Sequence, residues 1–377
     1  MRILIVGAGI AGLTLSALLQ KRGFRPDVIE KKENFKDLGY MLGLYPIGSK
    51  VFHGLGLYDR FMEISEPLRT YQMANSEGKV IRSYSMNFLD ERYGPIGQCT
   101  RGEIIDLLSE QIDTENLRMG TKIKGLEQEN DEVLVTFSDD TTASYDLVVA
   151  ADGIHSEVRK RLFGELPFRD TGWGGWVWWA PGDAAPSDTV SEFWGPGRFL
   201  GMYPTRERLG VFAGVPLGEG KETLRRSKRI RSMFDHVARD YPAVFEAMPN
   251  DLSELFFWEF NDVRASQWVK GRVVLLGDAA AAFLPTAGVG ASMAIESAAV
   301  LDDELSRTNA RYLPAALDLY EKRRKKRVVA AQNDSRRLAS MMFVKSPAIS
   351  GTRNALMRFY TLKMLARNIM KNMEEPI

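Results

Sequence analysis

Residues 2–30 read RILIVGAGIAGLTLSALLQKRGFRPDVIE, and their spacing decides how the chain begins to fold. Arg2 to Val6 is a short apolar, β-branched run with the texture of a fully buried strand. Ile10 to Gln20 places small and apolar residues at helical spacing, and Asp27 to Glu30 reads as a second strand. Gly7, Gly9 and Gly12 stand at the junction of the first strand and the helix. In such a G-x-G-x-x-G turn the first glycine permits the tight turn and the second lets a pyrophosphate approach the backbone. The third lets helix and strand pack closely. The helix N-terminus, opened by Ile10 and Ala11, then offers free N–H groups and a positive dipole end to phosphate. Glu30 ends the second strand 18 residues after Gly12, where a carboxylate accepts from both hydroxyls of an adenosine ribose. A glycine pattern alone is weak, but strand, helix and distant acid together point to a dinucleotide.

A second stretch, Val273 to Ala298, reads VVLLGDAAAAFLPTAGVGASMAIESA. An apolar strand stops at Gly277-Asp278, a proline follows at Pro285, and Gly288-Val289-Gly290 precedes a helix expected over Ser292–Arg307. Two readings are open on these residues alone: a ligand held close to the backbone, or a tight strand-to-helix turn.

Between these stretches, Val133 to Phe137 and Thr141 to Tyr145 read as a hairpin about Ser138-Asp139-Asp140. Leu147 to Ala151 is a buried strand ending at Asp152-Gly153, with Ser156 placed to cap the next helix. From Phe168 to Leu217 the texture becomes short, aromatic and punctuated by Gly and Pro, as in an antiparallel sheet with a covered face. Trp176, Trp178, Trp179, Phe193, Trp194, Phe199, Met202 and Phe212 are candidates to line a pocket there, and strand alternation sends only some of them inward. Lys221–Tyr241 and Ala243–Met248 read as helix. Near the end, KRRKKR at Lys322–Arg327 reads as a solvated helix face. Asn354–Met373 reads as a basic amphipathic helix packed over the middle segment, with Leu356, Met357, Tyr360, Met364 and Ile369 on its apolar side.

The 377 residues suffice for two closely joined domains, and 45% apolar with 26% charged residues is a globular mix. Fifty basic against 49 acidic residues give a net charge of +1, which argues against nucleic acid as the partner. Cys99 is the only cysteine, so no intrachain disulfide forms. His53, His155 and His236 form no metal-ligand spacing, and no metal is expected. No apolar run reaches the 18 or so residues of a membrane span, and the expectation is a cytoplasmic protein without membrane insertion.

GAGIAG with Glu30, Arg101 in QCTRGEIIDLL, ADGIHSEVR and the GDAA–Pro285–Gly288-Val289-Gly290 run occur in that order. Together they resemble the FAD-dependent aromatic hydroxylases, the single-component flavoprotein monooxygenases with the p-hydroxybenzoate hydroxylase fold. The resemblance covers residues 1–170 and 264–330. The chain beyond Lys325 is similar in length to members with an extra C-terminal helix, such as the tetracycline-inactivating monooxygenases. It implies an α/β fold: a Rossmann-like FAD-binding domain over 1–70, 98–168 and 264–330, with an inserted substrate domain over 71–97 and 169–263. The inserted domain carries a mainly antiparallel sheet, and a helical extension spans 331–377.

The implied FAD contacts are Gly7, Gly9, Ile10, Ala11, Gly12, Glu30, Lys31, Arg101, Asp152, Gly277, Asp278, Pro285, Gly288, Val289, Gly290 and Ala291. Arg101 would meet the phosphate and ribose region, Asp278 the ribitol and pyrophosphate, and the Gly290-Ala291 loop the flavin ring. Departures from the commonest family pattern are Ala281 for His, Ser292 for Asn and Ser297 for an acid. The region after Phe35 lacks the arginine that several members place near the flavin or NAD(P)H, and Lys36 is the candidate substitute. The resemblance further implies NADH or NADPH as electron donor and transfer of one oxygen atom, through a flavin C4a-hydroperoxide, to an aromatic or polycyclic small molecule. No side chain is named as a catalytic acid or base. Two other readings stay open: a flavin reductase or cyclase without oxygen transfer, and a flavin-binding scaffold docking through its basic tail.

Overall fold

In the computed structural model, which describes residues 1–35, 39–129, 131–217, 227–364, 370, 371 and 374, Ile3–Val6 lies inside a six-stranded sheet. The order across the sheet is Val269–Lys270, Val273–Leu275, Leu147–Ala150, Ile3–Val6, Asp27–Ile29, Leu117–Arg118. Five strands run parallel and only Val269–Lys270 is antiparallel. The three apolar strands ILIV, LVVA and VVL are buried along their whole length, as a parallel sheet covered on both faces requires. Helix Ile10–Lys21 packs on helix Gly290–Ser306, so the first and last thirds of the chain share one core. The second helix starts at Gly290, two residues before the expected Ser292, which puts Gly290 and Ala291 in its first turn.

The second sheet has eight strands in the order Ala281–Ala282, Phe256–Arg264, Arg169–Pro181, Arg208–Pro216, Arg198–Pro204, Thr189–Gly195, Thr70–Asn75, Val80–Ser85. All neighbours are antiparallel except Thr189–Gly195 beside Thr70–Asn75. Alternation sorts its aromatic residues cleanly. Trp176, Trp178, Phe193 and Met202 face a layer of helices at Ser227–Met233, Asp235–Asp240 and Pro242–Glu246. Val177, Phe199 and Phe212 point the other way, toward the first sheet's domain. The fold is therefore α/β: a Rossmann-like layer, a mainly antiparallel second sheet, and helices at the C-terminal end.

Helix Leu313–Met342 runs 30 residues and corrects the reading of KRRKKR as a solvated face. Lys322 and Lys326 are exposed, but Arg324 is 1% exposed. Arg324 and Arg327 grip the fully buried Glu296 at 2.7 and 2.6 Å. Glu296 sits inside the core helix Gly290–Ser306, and a carboxylate there persists only with countercharges. Helix Pro347–Met357 starts ahead of the expected Asn354 and stops at Met357, with residues 362–364 helical again after a break; Ser346 caps the first and Pro347 opens it. Leu356 lies on its exposed side rather than in the packed face. Ile369, like Lys36 and the start of the expected 221–241 helix, falls outside the described residues. Among the described residues no helix is long and apolar enough to cross a membrane.

Candidate cofactor and substrate site

A cavity of about 1070 Å³ runs from the Gly7–Ala11 turn to the inner face of the eight-stranded sheet. That is at the upper end of the range for ligand pockets, enough for an extended molecule and a second small one. Its first half is built by strand ends of the six-stranded sheet. Gly7 has φ +107° and lies so close to Ala151 that a Cβ would come within 2.5 Å of its carbonyl oxygen. Gly9, by contrast, faces open space, with only Arg101 at 3.8 Å from the place of a Cβ. Gly12 lies off the cavity, and a Cβ there would come 2.0 Å from the Gly7 oxygen. The three glycines thus divide as turn, approach and packing.

The helix behind them begins with Gly9 as N-cap and no side-chain cap, leaving its first N–H groups toward the cavity near Ile10 and Ala11. Glu30 follows its strand; its two carboxylate oxygens accept from Ala8 N–H at 2.9 Å and Lys32 N–H at 3.1 Å. These bonds fix the side chain at the cavity edge and leave lone pairs for hydroxyls. Lys31 lines the same edge. Arg101 opens helix Arg101–Ser109, whose Thr100–Glu103 capping box sets its start, and its guanidinium lies 5.9 Å from the centre of the Tyr40 ring.

Ser156 caps helix Glu157–Phe163, accepting from Arg159 N–H at 3.0 Å, and Asp152 Oδ2 accepts from Glu157 N–H at 2.8 Å. Asp152 Oδ1 is buried without a partner, and burial raises the carboxyl's pKa against the Ser156 side chain and the helix N–H groups that lower it. An orphaned carboxylate oxygen lining a cavity is what a hydroxyl-rich ligand satisfies. Asp278 is exposed to the cavity, with protein packed around it on the other sides, which desolvates its carboxyl. That desolvation pushes its carboxyl up to about 6, opposed by Arg101 and Arg159. Its neighbour Gly277, φ +62°, is packed so that a Cβ would meet Ala11 at 2.9 Å, and it stays off the cavity. Arg159, the last residue of ADGIHSEVR, donates through its two terminal nitrogens to the Ala279 and Ile154 carbonyls at 2.9 and 2.6 Å.

Pro285 and Gly288 line the cavity in a short turn, and Gly290 and Ala291 continue it; Val289 is buried in the core. Helix Gly290–Ser306 also lacks a side-chain cap at its start. The loop is buttressed from a distance. Thr286 Oγ1 donates to Ser335 O at 2.8 Å, Ser335 Oγ to Leu284 O at 3.0 Å, and Gln332 Nε2 to Ala282 O at 2.6 Å.

A flavin dinucleotide would satisfy what these residues leave open: bare backbone at Gly9, two uncapped helix starts, an unpartnered Asp152 oxygen and the Asp278 carboxyl facing the cavity. The sequence profile of the FAD binding domain family matches residues 1–335. The chain belongs to the FAD-dependent aromatic hydroxylase family. This hydroxylase-family chain is 30% identical over 344 residues to the FAD-dependent urate hydroxylase of Klebsiella pneumoniae, 87% of each chain. It is 32% identical over 315 residues to the 3-amino-4-hydroxybenzoate 2-monooxygenase of Streptomyces cremeus, 80% of this chain and 77% of that one. The Klebsiella HpxO crystal structure with FAD and uric acid superposes with TM-score 0.89 at 27% identity, covering 99% of this chain and 96% of that one.

The second half of the cavity contains what sequence reasoning missed. Tyr40, Tyr45, Tyr71, Glu192, Tyr203 and Trp258 line it, while of the eight aromatic and Met candidates only Phe199 and Phe212 do. The signal was present: in Val190-Ser191-Glu192-Phe193-Trp194 a glutamate shares the inward face with Val190 and Trp194. Glu192 is buried, and that raises its pKa against hydrogen bonds from Tyr71, Tyr203 and Trp194.

Proposed function

We propose that the chain is an FAD-dependent monooxygenase that uses NADH or NADPH and O2 to insert one oxygen atom into an aromatic or polycyclic small molecule. The observation that carries this is the continuity of the cavity, from a dinucleotide turn to an aromatic sheet face. When bound, FAD supplies the electron transfer and oxygen activation. The protein's own residues supply position and exclusion of water.

In this reading residues 1–70, 98–168 and 264–330 carry the cofactor, 71–97 and 169–263 the substrate, and 331–377 covers the end of the cavity. Gly9, Ile10 and Ala11 hold the pyrophosphate by backbone N–H groups, while Gly7, whose own N–H donates to Ile29 O at 2.8 Å, makes the turn and Gly12 sets the helix against the strand. Glu30 and Lys31 meet the adenosine ribose, and Arg101, Asp152 and Asp278 the middle of the molecule. Gly277 lets Asp278 approach, and Pro285, Gly288, Gly290 and Ala291 form the wall beside the ring, with Val289 buried behind them. The uncapped start of helix Gly290–Ser306 places a positive dipole end where the reduced ring gains negative charge. Leu338 and Met341 from the long helix, with Phe343 just past its end, close the cavity with apolar groups, which keeps water from the reacting ring. The relative that names urate supports a ring bearing N–H groups as substrate class.

The test is stoichiometric. FAD-loaded protein is given NADH and NADPH in parallel with a panel of hydroxylated and nitrogen-bearing aromatics, and nucleotide, O2 and product are followed together. The expected result is substrate-dependent consumption of nucleotide and O2 in equal amounts, with a product heavier by one oxygen. Conversion of a substrate at the same rate without O2 would replace this reading by a reductase or cyclase.

A further inference from the structure

Glu192 lies on the floor of the cavity's substrate half, on the strand Thr189–Gly195, and three neutral groups are bonded to it. Its Oε2 accepts from Tyr71 O–H at 2.6 Å and Trp194 Nε1–H at 3.0 Å, and its Oε1 accepts from Tyr203 O–H at 2.8 Å. The indole N–H is a donor only, so the carboxylate must accept there. Tyr45, whose ring lies near Gly288 at 3.8 Å from the place of a Cβ, feels the same charge and donates its own proton to Ala287 O at 3.2 Å. The phenol protons of Tyr45, Tyr71 and Tyr203 are thus all committed to protein acceptors. What these half-buried side chains have left for a ligand is oxygen lone pairs.

From this geometry we propose that Glu192, through Tyr71 and Tyr203, makes the pocket an acceptor site that selects substrates presenting N–H or O–H and rejects aromatic carboxylates. The proposal rests on the monooxygenase reading for the word substrate, but the recognition stands in the FAD-bound protein before any turnover. Glu192 acts as a positioning residue: it orients both phenols so that their lone pairs face the cavity. Its charge, with no cation among its bonded partners, also repels an anionic ligand. A ring N–H or O–H entering the pocket gains an acceptor, and its methylated counterpart loses that bond and leaves the phenol oxygens unpaired.

The experiment uses FAD-loaded protein without NADH or NADPH and follows perturbation of the flavin absorption spectrum on titration. The probes are 4-quinolone against N-methyl-4-quinolone, phenol against anisole, and benzoate. The wild type is expected to bind the N–H and O–H members about tenfold more tightly than the methylated ones, the scale of one hydrogen bond. Benzoate is expected to bind more weakly than phenol. In E192Q and Y203F the ratio within each pair is expected to fall toward one, with FAD content and the circular dichroism spectrum unchanged. A merely structural role for Glu192 would weaken both members of a pair equally and keep the ratio. An unchanged ratio in E192Q, benzoate bound more tightly than phenol, or no perturbation by any N–H or O–H probe would overturn the proposal. An intact, Glu192-dependent ratio in a protein that forms no oxygenated product would count against the monooxygenase reading alone.

Discussion

Glu30 and Asp278 are both acids at the cofactor half of the cavity, and their surroundings give them different tasks. Glu30 is held by two backbone N–H groups at its strand end, so replacing it by Ala removes a placed acceptor. FAD affinity is expected to weaken by about 1–3 kcal/mol, the scale of hydrogen bonds to a charged group, as read by flavin fluorescence titration. Asp278 has the opposite problem, a carboxyl pushed from 3.8 to about 6 by desolvation, ahead of the opposing pull of Arg101 and Arg159. The folded state therefore binds this proton more tightly than the unfolded chain. Between 3.8 and about 6 its share of stability falls as pH rises, and the charged form is a burden above that window. Thermal melts of the FAD-free protein should show D278N gaining on the wild type as pH rises from 4 to 7. A constant difference would place the Asp278 carboxyl in an ordinary solvated setting. The same residue-scale logic explains what the chain's order concealed. Glu192 reads as one polar letter in an aromatic run, and only the register of Thr189–Gly195 against Thr70–Asn75 brings Tyr71 to it.

At the scale of elements, the first strand, helix and second strand were legible because each carries a local signal: an apolar run, three glycines and a terminal acid. Gly12→Ala tests that unit. Its Cβ would meet the Gly7 carbonyl oxygen at 2.0 Å, which is backbone and cannot swing away. The expected cost is about 1–3 kcal/mol, as for other overpacked sites, with loss of FAD retention on dialysis. The buttress of the Pro285–Gly290 loop was not legible, because Gln332 and Ser335 lie in a polar helix and reveal their role only through long-range bonds. Gln332→Ala would leave the Val263 and Ala282 carbonyls without this donor. It is expected to destabilise by about 1–3 kcal/mol and to speed FAD release, measured by stopped-flow fluorescence. An unchanged release rate would detach the long helix from the site. KRRKKR misled for a related reason. Charge runs look solvated until a buried acid such as Glu296 appears opposite them.

At the scale of the molecule, two sheets face each other across one cavity, one bringing strand ends and helix starts, the other an aromatic and phenolic wall. The first half was readable from four motifs in order. The second was not, since alternation decides which aromatic side chains face inward and strand phase is set by pairing, not by composition. The measurement that bears most directly on the whole account is isotopic: turnover of an N–H- or O–H-bearing aromatic by FAD-loaded protein with NADH or NADPH under 18O2. The account predicts a product carrying one 18O atom from the gas, and the same atom unlabelled when the label is supplied as water. Label drawn from water, or nucleotide oxidation that yields only hydrogen peroxide across the panel, would contradict it.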